Sequence, residues 1–180
     1  MRLEATGAKI IDFDYLSESS NAAAAQIYGE DIPLDVLIHC CLEVFPGSWE
    51  ETTAEHMVNK LRVMTLGPFL ATKYFLTSLK KCDPGEVINI NSFWASLAGN
   101  DFGEYISYQT AKAALNMEAL TIAHKIKAKN LDITMLALDP GDIPTKLSRW
   151  AGNTNMEHSV TGMVKAIEEA TIDLSGSYLP

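Results

Sequence analysis

The stretch Glu86-Val-Ile-Asn-Ile-Asn-Ser-Phe-Trp-Ala-Ser96 is followed by a loop rich in Gly, Asn and Asp. Then comes Tyr105-Ile-Ser-Tyr-Gln-Thr-Ala-Lys-Ala-Ala114, and these segments together decide how the chain reads. Val87, Ile88 and Ile90 form a short apolar, β-branched run that suits a buried strand. Asn91 and Ser92 close it, and Gly99, Asn100, Asp101 and Gly103 supply loop chemistry. From Ser107 to Lys129 the pattern is helical. Tyr108 and Lys112 lie four residues apart, so they share one helix face. An ammonium beside a phenol favours the phenolate, whereas burial raises its pKa. The charge of Lys112 is expected to prevail and to lower the Tyr108 pKa. A hydroxyl from Ser92 at the strand end can meet the pair and complete a proton donor or acceptor beside a substrate oxygen.

Outward from this stretch, strands alternate with helices. Ala8–Phe13 reads as a first strand, and Ser17–Ser20 can cap a helix over Asn21–Tyr28. Leu34–Cys41 reads as a second strand and Phe45-Pro-Gly-Ser48 as a loop. Glu50–Leu79 reads as a long helix bent at Pro68. Leu131–Leu138 is a further strand, Met156–Ala170 a helix that Asn155 can cap, and Ser177–Leu179 a last short strand. The implied fold is α/β: a reduced, Rossmann-like, doubly wound parallel sheet of about five strands with helices on both faces. The first strand is expected to pair with the second.

The 180 residues fit a single domain with a real core. A formal net charge of −9 argues against nucleic acid and anionic membrane as partners. There is no apolar run long enough to span a membrane, and Met1–Gly7 lacks the apolar core of a signal peptide. Cys40, Cys41 and Cys82 give neither a disulfide framework nor metal-ligand spacing, which fits a cytoplasmic setting.

Ser92 and Tyr108-x-x-x-Lys112 resemble the active site of the short-chain dehydrogenase/reductase family. In that family a serine after the fifth strand meets such a dyad on the next helix. Leu138-Asp-Pro-Gly-Asp-Ile-Pro-Thr145 resembles the family's segment after the sixth strand, and Leu66-Gly-Pro-Phe-Leu70 resembles the middle of its dimer-forming helix. The resemblance implies Ser92, Tyr108 and Lys112 as catalytic residues and a homodimer built on the helices Glu50–Leu79 and Ser107–Lys129.

The resemblance also marks departures. The sequence contains no G-x-x-x-G-x-G, so it reads as an N-terminally truncated member without the pyrophosphate cradle. Asp14 matches the acidic residue near the adenine, as a vestige of cofactor binding. His39-Cys40-Cys41-Leu42 stands where the family has Asn-Asn-Ala-Gly, and Met64 where it has a catalytic asparagine. These losses suggest that no cofactor is used. The expected function is then a cofactor-independent acid/base enzyme of isomerase, dehydratase or cyclase type, acting on a small oxygenated substrate. The emptied cleft would be lined by His39, Phe93, Trp94, Asp142, Thr145 and Trp150. For His39 the plainer reading is a histidine satisfied by its neighbours at a strand end. For Phe93 and Trp94 it is ordinary packing. The alternative functions are an NAD(P)-dependent oxidoreductase or a non-catalytic remnant that acts by binding.

Overall fold

In the computed structural model the described residues are 3–42, 47–101, 103–146, 148 and 150–180. The expected loop at Phe45 and Pro46 lies outside them. Among them four parallel strands form one sheet in chain order: β1 (Val36–His39), β2 (Gly85–Ile90), β3 (Ile133–Leu138) and β4 (Tyr178–Leu179). Among the described residues five α-helices accompany them: α1 (Glu18–Tyr28), α2 (Ala54–Leu61), α3 (Gly67–Leu79), α4 (Ile106–Ala128) and α5 (Met156–Glu168).

Period-two alternation divides the core between the two sheet faces. Val87, Ile133 and Met135 face α3 and α4, where they pack with Leu79, Ala119, Ala123 and Ile126. Ile88, Leu136 and Leu138 face the other way, against Met163, Ala166 and Ile167 of α5. On α4, Ala111, Leu115, Ala119 and Ala123 recur every four residues and are buried. Three of these four are alanines, so the helix can lie close on the sheet.

The expected first strand does not form. Residues 8–13 carry no strand pairing, and β1 is the sheet edge. Ile11 and Phe13 instead pack on Ala24 and Ala25 of α1 and on Phe75 of α3. The alternation legible in the sequence therefore serves helix packing rather than a sheet ladder. At the free edge, Ile38 keeps 50% of its surface exposed.

The long helix expected over Glu50–Leu79 begins at Ala54, where Thr53 and His56 form a reciprocal capping box. A π-helical turn, Arg62–Leu66, separates α2 from α3. Pro68 has no N–H to offer to the carbonyl four residues back. The Gly67 N–H bonds Arg62 O, five residues back, so the ladder widens by one residue just before the proline. Gly67 is also where the Tyr15 ring seats: a Cβ there would lie 2.2 Å from a ring carbon. Elsewhere the caps follow the sequence, with the Ser17 hydroxyl accepting from Ser20 N–H and Asn155 from His158 N–H.

His39 ends β1 inside the protein, at 4% exposure. Its Nδ1 is 2.9 Å from the Tyr15 hydroxyl and its Nε2 is 2.9 Å from Thr72 Oγ1. Burial lowers its pKa from 6.5 to about 4. The folded state thus binds its proton less readily than the unfolded chain does. The stability this gives is complete above pH 6.5 and is lost as pH falls through 4, amounting to about 3 kcal/mol by that point. His39→Gln cannot charge, so its melting temperature should fall less steeply than the wild type's between pH 6.5 and 4. Parallel melting curves for the two proteins would contradict this.

Candidate active site

The site forms where β2 ends and α4 begins. Ser92 follows β2, and its N–H donates to Asn91 Oδ1 at 2.9 Å while its hydroxyl accepts from Trp94 N–H at 3.2 Å. The Asn91 amide donates to Asn116 Oδ1 and to Lys112 O, which ties the strand end to α4. Asn91 N–H in turn reaches Leu138 O at 2.7 Å. Helix α4 opens at Tyr105, which has left-handed φ and ψ of 57° and 37°. Its ring stacks on Trp94 with centroids 4.9 Å apart, and Trp94 meets Tyr108 edge-on at 5.9 Å.

The Ser92 hydroxyl lies by the Tyr108 phenol and favours its ionised form. One turn on, Lys112 is 2% exposed, and its ammonium donates to Ile90 O at 2.7 Å while lying 6.0 Å from the centre of the Tyr108 ring. Ser92, Tyr108 and Lys112 are therefore brought together as their spacing suggests.

The electrostatics depart from the sequence reading. The Tyr108 pKa is raised, not lowered: burial raises it most, the Ser92 hydroxyl opposes, and the Asp139 carboxylate adds to the rise. Lys112 is itself buried and its own pKa is lowered, with the Cys41 and Cys40 thiols and Asp139 acting against that fall. The phenol therefore stays protonated through neutral pH and can act as an acid.

The expected substrate wall is only partly assembled. His39 does not face a cleft, because both ring nitrogens are engaged within the core. Trp94 lies on Tyr108, whereas Phe93 is half exposed beside it. Asp142, Thr145 and Trp150 belong to a loop that hydrogen bonds hold to itself: Thr154 N–H to Asp142 O, Thr145 N–H to Ser148 Oγ, and Trp150 N–H to Thr145 O. Asp14 uses its carboxylate in a local turn, accepting from Leu16 N–H. Met64, in the π turn, is fully buried.

Two residues escaped the sequence reading. Asp139 accepts hydrogen bonds at the site, and only its place before Pro140-Gly141 could have flagged it. Tyr15 sits against Cys41, with its hydroxyl 3.9 Å from Sγ. Among the described residues no helix is long and apolar enough to cross a membrane, and no group of three or more His, Cys, Asp or Glu could hold a metal.

Residues 2–155 match the short chain dehydrogenase family, and the chain belongs to it. Human retinol dehydrogenase 13 is 31% identical over 138 residues, which is 72% of this chain and 41% of that protein. The chain spans only 33% to 42% of the length of this and two further curated relatives. NADPH-bound carbonyl reductase from chicken fatty liver superposes with a TM-score of 0.86 at 25% identity, covering 98% of this chain and 75% of that one. A Burkholderia multivorans short-chain dehydrogenase/reductase with bound NADP gives 0.79 at 20% identity, covering 92% and 71%. These relatives overturn the expectation that no cofactor is used.

Ser92→Ala removes the hydroxyl that favours the phenolate, so the Tyr108 titration should move further up in pH. Tyrosinate absorbance near 295 nm, taken as a difference against Tyr108→Phe, reads this directly. A titration that moved down would mean that the hydroxyl favours the neutral phenol instead.

Proposed function

We propose that this chain carries the substrate and proton-transfer machinery of an NAD(P)-dependent oxidoreductase that interconverts a carbonyl and an alcohol on a small organic substrate. The observation that carries the reading is the grouping of Ser92, the Tyr108 phenol and buried Lys112, in a chain 25% identical to an NADPH-bound carbonyl reductase. An isomerase, dehydratase or cyclase has no comparable support. The donor set fits the hydroxyl-rich end of a nicotinamide nucleotide: a buried ammonium, a phenol and a serine hydroxyl converge there. Lys112 and Tyr108 would hold that end. The phosphates find no Gly-rich turn within these 180 residues.

When bound, the nicotinamide supplies or accepts the hydride. The chain's own residues handle the proton. Ser92 orients the substrate oxygen by hydrogen bonding. Tyr108, kept neutral by burial, gives its proton to that oxygen in the reducing direction. Lys112 stabilises the phenolate left behind. Trp94 shields the phenol from water on one side.

NADPH should bind in calorimetry, and small aldehydes or ketones should be reduced with loss of absorbance at 340 nm. Tyr108→Phe should lower that rate by roughly 10²–10⁴ while NADPH still binds. A protein that binds neither NADPH nor NADH would exclude the reading. In the reducing direction the rate should hold through neutral pH and fall only above the ordinary phenol value of ~10, because the raised pKa keeps the proton in place until then.

A homodimer is part of the same reading. Leu66, Phe69, Met117 and Leu120 leave apolar surface exposed on and beside α3 and α4, with Met117 at 65%. Sedimentation at micromolar concentration should give twice the 19.7 kDa chain mass, and Met117→Glu should shift it toward the monomer. A monomer in the wild type would remove this part of the reading.

A further inference from the structure

Asp139 ends β3 and begins the turn into Pro140 and Gly141. Its Oδ2 accepts from the Phe93 N–H at 2.5 Å and from the Tyr178 hydroxyl at 2.7 Å, and its Oδ1 accepts from the Gly141 N–H at 2.8 Å. Asp139 N–H donates to Leu179 O at 2.9 Å, so the residue is also tied to β4 through its backbone. One carboxylate thus joins three elements: the loop carrying Ser92, the β3 turn and the last strand. Gly141 takes a φ of 73°, which favours glycine and lets its N–H turn back to Oδ1.

We propose that Asp139 is a positioning residue for the reaction assigned above: clamped by Tyr178, its carboxylate fixes the backbone behind Ser92 and sets the electric field at Tyr108 and Lys112. The inference rests on the reading of Tyr108 as the proton carrier.

Asp139 acts in two ways. The first is geometric. The Ser92 hydroxyl can serve Tyr108 and a substrate oxygen only if its backbone stays still. Asn91 holds that backbone on one side through the Ser92 N–H. Asp139 holds the other side through the Phe93 N–H, with a charge-assisted bond that is stronger than a neutral one. The second is electrostatic. The Lys112 ammonium donates to a neutral carbonyl, Ile90 O, and the Cys41 and Cys40 thiols and the Asp139 carboxylate act on its charge from further away. Asp139 provides a carboxylate whose charge acts on Lys112, on Tyr108 and on Tyr178. A negative charge there favours ammonium on Lys112 and the neutral phenol on Tyr108, the pair of states that a proton donor needs.

Asp139→Asn removes the charge while keeping the shape and one acceptor oxygen. Tyr178→Phe removes the clamp while keeping the charge. For each, Tyr108 is titrated by tyrosinate absorbance against the same protein carrying Tyr108→Phe, alongside NADPH-dependent turnover and thermal melting. Asp139→Asn is expected to move the Tyr108 titration to lower pH and to reduce kcat by about 10–10²-fold, with KM nearly unchanged. Tyr178→Phe is expected to lower the melting temperature and leave the titration in place. An Asp139→Asn protein that melts earlier with the Tyr108 titration unmoved would overturn the proposal and leave Asp139 a structural residue. If no carbonyl substrate is turned over by the wild type, the oxidoreductase reading fails while the titration still decides the role of Asp139. Should Asp139→Asn not fold, Asp139→Glu keeps the charge but displaces it by one methylene. Its turnover should fall with the titration retained, and unchanged turnover would overturn the proposal.

Discussion

Lys112 is a lysine almost wholly removed from water, with its ammonium on the carbonyl of Ile90. The site depends on this contact. A buried ammonium must keep a hydrogen bond or lose its charge. That requirement holds α4 against the end of β2. Tyr108, one turn earlier on the same face, is thereby held over Ser92, which follows β2 directly. Asn91 reinforces the seam from the strand side by donating to Lys112 O and to Asn116 Oδ1. The alanine ridge of α4 brings the helix close enough for these short bonds. Packing and polar chemistry therefore specify the same registration of helix on sheet.

A second polar line, Thr72–His39–Tyr15, runs through the core at the end of β1. It joins the segment before α1 to β1 and α3. Gly67 leaves the space that the Tyr15 ring occupies. This line accounts for residues 8–13 lying on the helices rather than in the sheet: Ile11 and Phe13 follow Tyr15 onto the surface of α1 and α3. A histidine so placed is neutral and structural, whatever its position beside a cleft might suggest.

Under the proposed reading the site stores a proton. Burial outweighs the lysine at Tyr108, so the phenol is kept as an acid. That suits reduction of a carbonyl, in which an oxygen gains a proton as its carbon gains a hydride. It also agrees with the NADPH-bound carbonyl reductase that is 25% identical to this chain. Ser92, Tyr108 and Lys112 stand together where β2 ends and α4 begins.

The strands β2 and β3, the helix α4 and the Ser92–Tyr108–Lys112 grouping were legible in the sequence, because they rest on local signals. An apolar run bounded by asparagine marks a buried strand, and four-residue spacing fixes two side chains on one helix face. Capping at Ser17 and Asn155 is equally local. What the sequence could not decide depends on partners distant in the chain. The alternation of Ile11 and Phe13 is the same whether a strand or a helix surface receives it, and only the fold supplies α1. The sign of the Tyr108 shift turns on burial against charge, a balance set by everything packed around the ring. The role of Asp139 needs Phe93 and Tyr178, 46 and 39 residues away, to converge on one carboxylate. Sequence periodicity records which face a residue occupies; tertiary structure decides what that face meets.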